Sequence, residues 1–209
     1  MTDSFTPCCK NGLPKVALRL LLAWLLLACA LAHAQVQTEI SQLRVERSDE
    51  ELQLSAQLQF EISSAVEDAL VKGIPMVFVI SADVLRERWY WSDKKLVAVE
   101  RYMRLAYQPL TRRWRLNVNS GPAVNSGVGL ALNQSFDTLQ QALSAIKRIA
   151  KWKIADAGDL DTSGKNKLDF RFKLDLSQLP RPFQIGALGQ SDWDISASVL
   201  TPLVLESAK

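Results

Sequence analysis

The 209-residue chain carries 25 Lys and Arg against 22 Asp and Glu, a net charge of +3, with three cysteines and one histidine. Cys8, Cys9, Cys29 and His33 all lie ahead of residue 35, so cysteine nucleophiles, disulfides, thiolate metal sites and imidazole bases are excluded from everything that follows. The near balance of charge argues against nucleic acid as a partner.

Lys10, Lys15 and Arg19 precede the apolar run Leu20 to Leu31, which leads into Ala32-His33-Ala34. A basic start, an apolar middle and a small-x-small end are the three parts of a secretory signal, so residues 1–34 are expected to be a cleaved leader. The run is shorter than the about 20 apolar residues a bilayer span needs. Two alternatives stay open: an uncleaved anchor counted from Val16 to Ala34, and a lipoprotein acylated at Cys29, against which bulky Leu27 counts. Loss of the leader removes Lys10, Lys15, Arg19 and Asp3 and leaves the remainder near neutral. Export argues further against nucleic acid. Residues 35–209 are then read as a single periplasmic β-rich domain, held together by its core because it has no disulfide.

The first strand is expected from Thr38 to Arg47, joined by the turn Ser48-Asp49-Glu50 to a second with strict alternation, Leu52, Leu54, Ala56, Leu58, Phe60 and Ile62 facing one way. "SSAVEDALVKG" reads as a short helix capped by Ser63 or Ser64 and stopped by Gly73. Strand-like blocks follow in "MVFVISADVLRERWYW", from Leu96 to Tyr107 and from Arg112 to Asn119, and then a loop at 120–127. From Ser135 the period becomes helical, with Leu139, Leu143, Ile146 and Ile149 in one stripe. "LDFRFKLDL" alternates again, and "DWDISASVLTPLVL" reads as a closing strand that Pro202 ends or confines to an edge. The expected fold is mainly β, an antiparallel curved sheet or β-sandwich with two covering helices, with α+β as the alternative.

Four stretches are candidates for chemistry. In "RERWYWSDKK" strand alternation would put Arg86, Arg88 and Tyr90 on one face and Trp89 and Trp91 on the other, near the arginines of the next two strands. Such a platform suits an anionic or sugar-bearing partner, and equally suits arginines and aromatics that merely support one another across a sheet, with Glu87 and Glu100 dispersing the field. "DLDTSGKNKLD" opens like a calcium loop, but Phe170 stands where a bidentate glutamate is needed and Lys165 and Lys167 would repel a dication, so a solvated hairpin loop is expected and no metal. "LPRPFQIGALGQSDWDI" combines Pro180, Pro182, Phe183 and Trp193 in a stretch that either recognises a partner or plugs one end of the fold with Phe183, Leu188 and Trp193. Asp192 and Asp194 would share a face if they lay in a strand, the one carboxylate pair open to acid/base work. No Gly-x-Ser-x-Gly, Ser-x-x-Lys or His-Glu-x-x-His motif follows residue 34, and no catalytic residue or cofactor is expected.

The succession of "LQLSAQLQFEI", a short helix, "IPMVFVI", "RERWYW" and "LPRPFQIGALGQSDWDI" resembles the proteobacterial exported family known as domain of unknown function 4390. The resemblance covers most of the mature chain and implies a periplasmic protein, often encoded beside a membrane histidine kinase of the nitrogen-regulation type. It supplies no catalytic residues. The expected function is therefore a non-enzymatic periplasmic interaction module, auxiliary to a membrane protein or the periplasmic domain of a sensor kinase. Its expected binding residues are Arg86, Arg88, Trp89, Tyr90, Trp91, Pro180, Pro182, Phe183 and Trp193. The alternatives are a binder of a lipid-like envelope ligand held under the helix that carries Leu139, Leu143 and Ile146, and a hydrolase built on Asp192 and Asp194.

Overall fold

Strand alternation governs the architecture. In the computed structural model the described residues are 38–48, 50–88, 90, 93–120, 132–156, 158, 165–187 and 189–207. The expected leader with Cys29, Trp89, Trp91, the loop at 121–127, the calcium-like stretch 159–164 and Leu188 lie outside them. Among the described residues no helix is long and apolar enough to cross a membrane.

The elements in chain order are β1 (Glu39–Arg47), β2 (Glu51–Gln59), α1 (Ser64–Val71), β3 (Met76–Arg86), β4 (Lys94–Gln108), β5 (Arg113–Ser120), β6 (Leu132–Phe136), α2 (Leu139–Lys147), β7 (Arg148–Asp156), β8 (Asn166–Leu174), α3 (Arg181–Ala187), β9 (Ser196–Pro202) and β10 (Leu205–Ser207). They form a four-stranded sheet, β10-β1-β2-β7, and a six-stranded sheet, β6-β5-β4-β3-β8-β9. Every pairing is antiparallel except β1 with β10. The protein is thus mainly β, with three α-helices among the described residues, one more than the sequence suggests. That helix, α3, begins with Pro182 in its first turn, where a missing N–H costs nothing.

β2 turns Leu52, Leu54, Ala56 and Leu58 into the core, each 5 % exposed or less. Facing them are Phe78, Ile80, Ala82 and Val84 of β3, Met103 and Leu105 of β4, Trp114 and Leu116 of β5, and Phe170 and Phe172 of β8. Phe60, Phe78 and Phe172 make a three-ring cluster with centroids 5.0 to 5.8 Å apart, a spacing at which rings gain beyond simple burial. α1 is capped by the Ser63 hydroxyl accepting from the Val66 N–H and closes on Gly73 at φ 86°.

α2 packs against β2, β5, β6 and β7 and buries Ala142, Leu143 and Ile146 completely or nearly so. Its apolar stripe is thus occupied by core side chains. The helix stops at Lys147, where β7 starts without a turn, and Ile149 belongs to that strand. At one end of the sandwich Leu179, Ala187, Trp193 and Ile195 join the core, and the turn at Ser191–Trp193 rests on α1. The stretch from Leu179 to Ile195 therefore seals that end.

Candidate functional site

The broad outer face of the six-stranded sheet follows from register. Because Met103, Leu105, Trp114 and Leu116 point inward, their neighbours point out, and the cross-strand rows are Tyr102 with Asn119, Arg104 with Asn117, Ala106 with Arg115, and Gln108 with Arg113. β6 adds Ser135 beside Arg115 and Asn133 beside Asn117. Arg104, Arg113, Arg115, Asn133 and Ser135 are all exposed. Arg113 holds Asp137 at 3.2 Å. Among the described residues no carboxylate lies within ion-pair distance of Arg104 or Arg115. The amide oxygens of Asn117 and Asn119 are buried on the same face and accept no hydrogen bond. This half of the sheet thus presents guanidinium forks with donor capacity to spare, a geometry that matches carboxylate or phosphate oxygens.

Along the same face toward the other end of β3 the chemistry changes. Asp83, 5 % exposed, is the buried charged residue of the described structure. Its Oδ2 takes Arg171 of β8 at 2.5 Å and Lys95 of β4 at 2.8 Å, and Arg171 also lies 3.6 Å from Asp169. One carboxylate so ties three adjacent strands. Next to it Tyr102 donates to Glu100 at 2.6 Å. That hydrogen bond first, then burial and the charges of Glu100 and Asp175, pushes the phenol up to about 12. These acids cancel much of the local positive field, so the arginine-rich half is the distinct surface.

The residues singled out from sequence fall in three places. Arg86 is the last residue of β3, so strand alternation does not reach Arg88 or Tyr90; both are exposed in the connection to β4. That connection is stitched by charge: Lys167 lies 3.3 Å from Glu87 and 4.0 Å from Asp93, whose Oδ1 accepts from the Arg88 N–H. Pro180, Pro182, Phe183 and Trp193 sit at the sealed end, where Trp193 is 7 % exposed and Phe183 packs on the core. Phe78 pairs with Leu174 near that end and Arg86 with Asn166 at the other, about 26 Å apart at about 3.3 Å per residue. The two expected recognition segments are therefore not one site.

Asp192 and Asp194 lie in and after a short 3-10 turn, not in a strand, and both face solvent. Asp194 accepts from the Ser196 hydroxyl at 2.8 Å. Of the aromatic and basic residues on the next strands, Tyr107 and Trp114 pack with their rings tilted and centroids 4.8 Å apart. Arg101 turns inward over Trp152, 4.8 Å from its ring. Asp83 carries its own signal in the sequence: a lone acid in the apolar run "MVFVISADV", flanked in the sheet by basic strands, needs cationic partners. Among the described residues no three His, Cys, Asp or Glu side chains converge as a metal site.

Comparison with known proteins adds one relation. Residues 35–201 match the model of a family described as Domain of unknown function (DUF4390). No curated protein and no solved structure matches the chain.

Proposed function

The chain belongs to that family, and from this premise we propose that it is a non-enzymatic interaction module, exported to the periplasm, that docks on an acidic surface of a membrane protein such as the sensory domain of a kinase. The observation that carries the reading is the row of Arg104, Arg113 and Arg115 on the open face of β4 and β5, with a carboxylate bound at Arg113 alone among the described residues. Guanidinium groups so arranged bind carboxylates in pairs and steer an oppositely charged partner before contact. The leader-like start of the sequence and the genomic setting implied by the family resemblance support the location and the class of partner.

The test is charge reversal on the face. Arg104→Glu with Arg115→Glu should abolish crosslinking to the partner in intact envelopes, while the unfolding free energy moves by no more than about 0.5 kcal/mol, as expected for exposed sites. Retained complex formation overturns the reading, and so does loss of the fold, which would make these arginines structural.

A further inference from the structure

We propose that the edge of β4 from Val97 to Glu100 is a strand-addition site for an extended segment of a partner protein, one that carries a carboxylate for Arg101. β5 pairs with β4 only from Arg101 to Gln108. Among the described residues no strand pairs with the rest of that edge; on its other side β4 is laddered to β3, with a register shift between Lys95 and Val97. Every second residue there offers its N–H and C=O outward, the groups an added strand uses.

Several other edge strands carry interruptions. β9 ends in Pro202. β1 is broken by a register shift with Gln42 at φ 51°, and β7 by two shifts with Lys151 at φ 44°. β4 keeps an unbroken register with β3 from Val97 to Leu105, so its unpaired part from Val97 to Glu100 is a regular template.

A cleft of about 510 Å³ opens along this edge, lined among others by Lys95, Val99, Glu100, Ser120, Trp152 and Lys153. Arg101 stands where β5 ends, opposite Ser120, with its guanidinium over the Trp152 ring. Burial pushes its pKa below the usual value, and among the described residues no carboxylate lies within ion-pair distance of it. A half-buried cation without a counter-ion is costly. A strand added beside β4 in line with β5 would bring the side chain opposite Val99 diagonally within reach of Arg101. An acid there completes the pair. The site is independent of the arginine face, which lies on the other half of β4.

The probe is the acetylated peptide amide (Asp-Val)4, followed by amide hydrogen exchange on the purified protein. In the free protein, alternate amides between Val97 and Glu100 should exchange as exposed groups, and the peptide should slow them. Arg101→Gln should weaken binding by about tenfold, the value of one hydrogen bond to a charged group. Arg104→Glu with Arg115→Glu should leave it unchanged. Two controls need no protein variant: (Lys-Val)4, and (Asp-Val)4 N-methylated at two adjacent central amides, should both fail to bind. The proposal is overturned by failure of (Asp-Val)4 to bind, or by binding that ignores N-methylation or the change of Asp to Lys. Protection of these amides in the free protein at high dilution also overturns it, since the chain's own segment then covers the edge. Protection that rises with protein concentration does so too, by placing a second copy there.

Discussion

Replacing Asp83 by Ala removes the single acceptor shared by Lys95 and Arg171. Breaking a fully buried ion pair costs about 3–5 kcal/mol because the survivor stays dry. Here the survivors are not dry: the Lys95 and Arg171 side chains are 54 % and 49 % exposed, so water takes over most of their solvation. Solvent screening brings the expected loss to about 1–2 kcal/mol. For a domain of this size that is a fall of about 2–8 °C in Tm, at about 2–4 °C per kcal/mol. Thermal and urea unfolding measure it, and a double-mutant cycle with Arg171→Ala should return a coupling of about 0.5–3 kcal/mol. Added salt should change this coupling little, while it screens the exposed Arg113–Asp137 pair. An unchanged Tm in Asp83→Ala, or a coupling near zero, would refute the claim that this carboxylate ties β3, β4 and β8.

Spectrophotometric titration should show Tyr102 ionising near 12, late against an ordinary phenol, and Glu100→Ala should bring it down. Because the folded pKa lies above the unfolded value of 10.0, the associated stability is complete below pH 10 and is lost as pH rises toward about 12. Trp193→Ala should cost about 3–5 kcal/mol in urea unfolding, since the indole is buried where the chain seals the sandwich. A loss below about 1 kcal/mol would show the 179–195 stretch to be a surface loop. Asp192→Asn and Asp194→Asn should leave stability within about 0.5 kcal/mol and should abolish no turnover of envelope polymers; a hydrolysis lost with either would reinstate them as a catalytic pair.

Period-two patterning carries much of the fold openly. The alternation of Leu52 to Phe60 and of Leu168 to Leu174 names the inward residues of β2 and β8, and Ser63 and Gly73 bracket α1. β7 is hidden for a physical reason: Ile149 continues the spacing of Leu139, Leu143 and Ile146, and no turn residue separates helix from strand. Its bulges then space the buried Ile149, Trp152 and Ile154 unevenly, so strand alternation never shows. In α3 the prolines look like loop makers, yet Pro182 suits the first turn of a helix.

The candidate site was legible only in part. Composition points to arginine on β4 and β5, but the choice of Arg104 and Arg115 over Arg101 depends on which side of β4 faces the core. Arg88 and Tyr90 leave the face because β3 ends at Arg86, a boundary set by the turn back to β4 rather than by propensity.

The most direct measurement of the interaction claim is site-specific photo-crosslinking in living cells, with the reactive residue replacing Ser135 beside the arginine row or Gln59 on the four-stranded sheet. A discrete adduct is expected from position 135 that disappears with Arg104→Glu and Arg115→Glu, and none from position 59. Equal adducts from both positions, or an adduct at 135 that survives the charge reversal, would contradict the interaction claim.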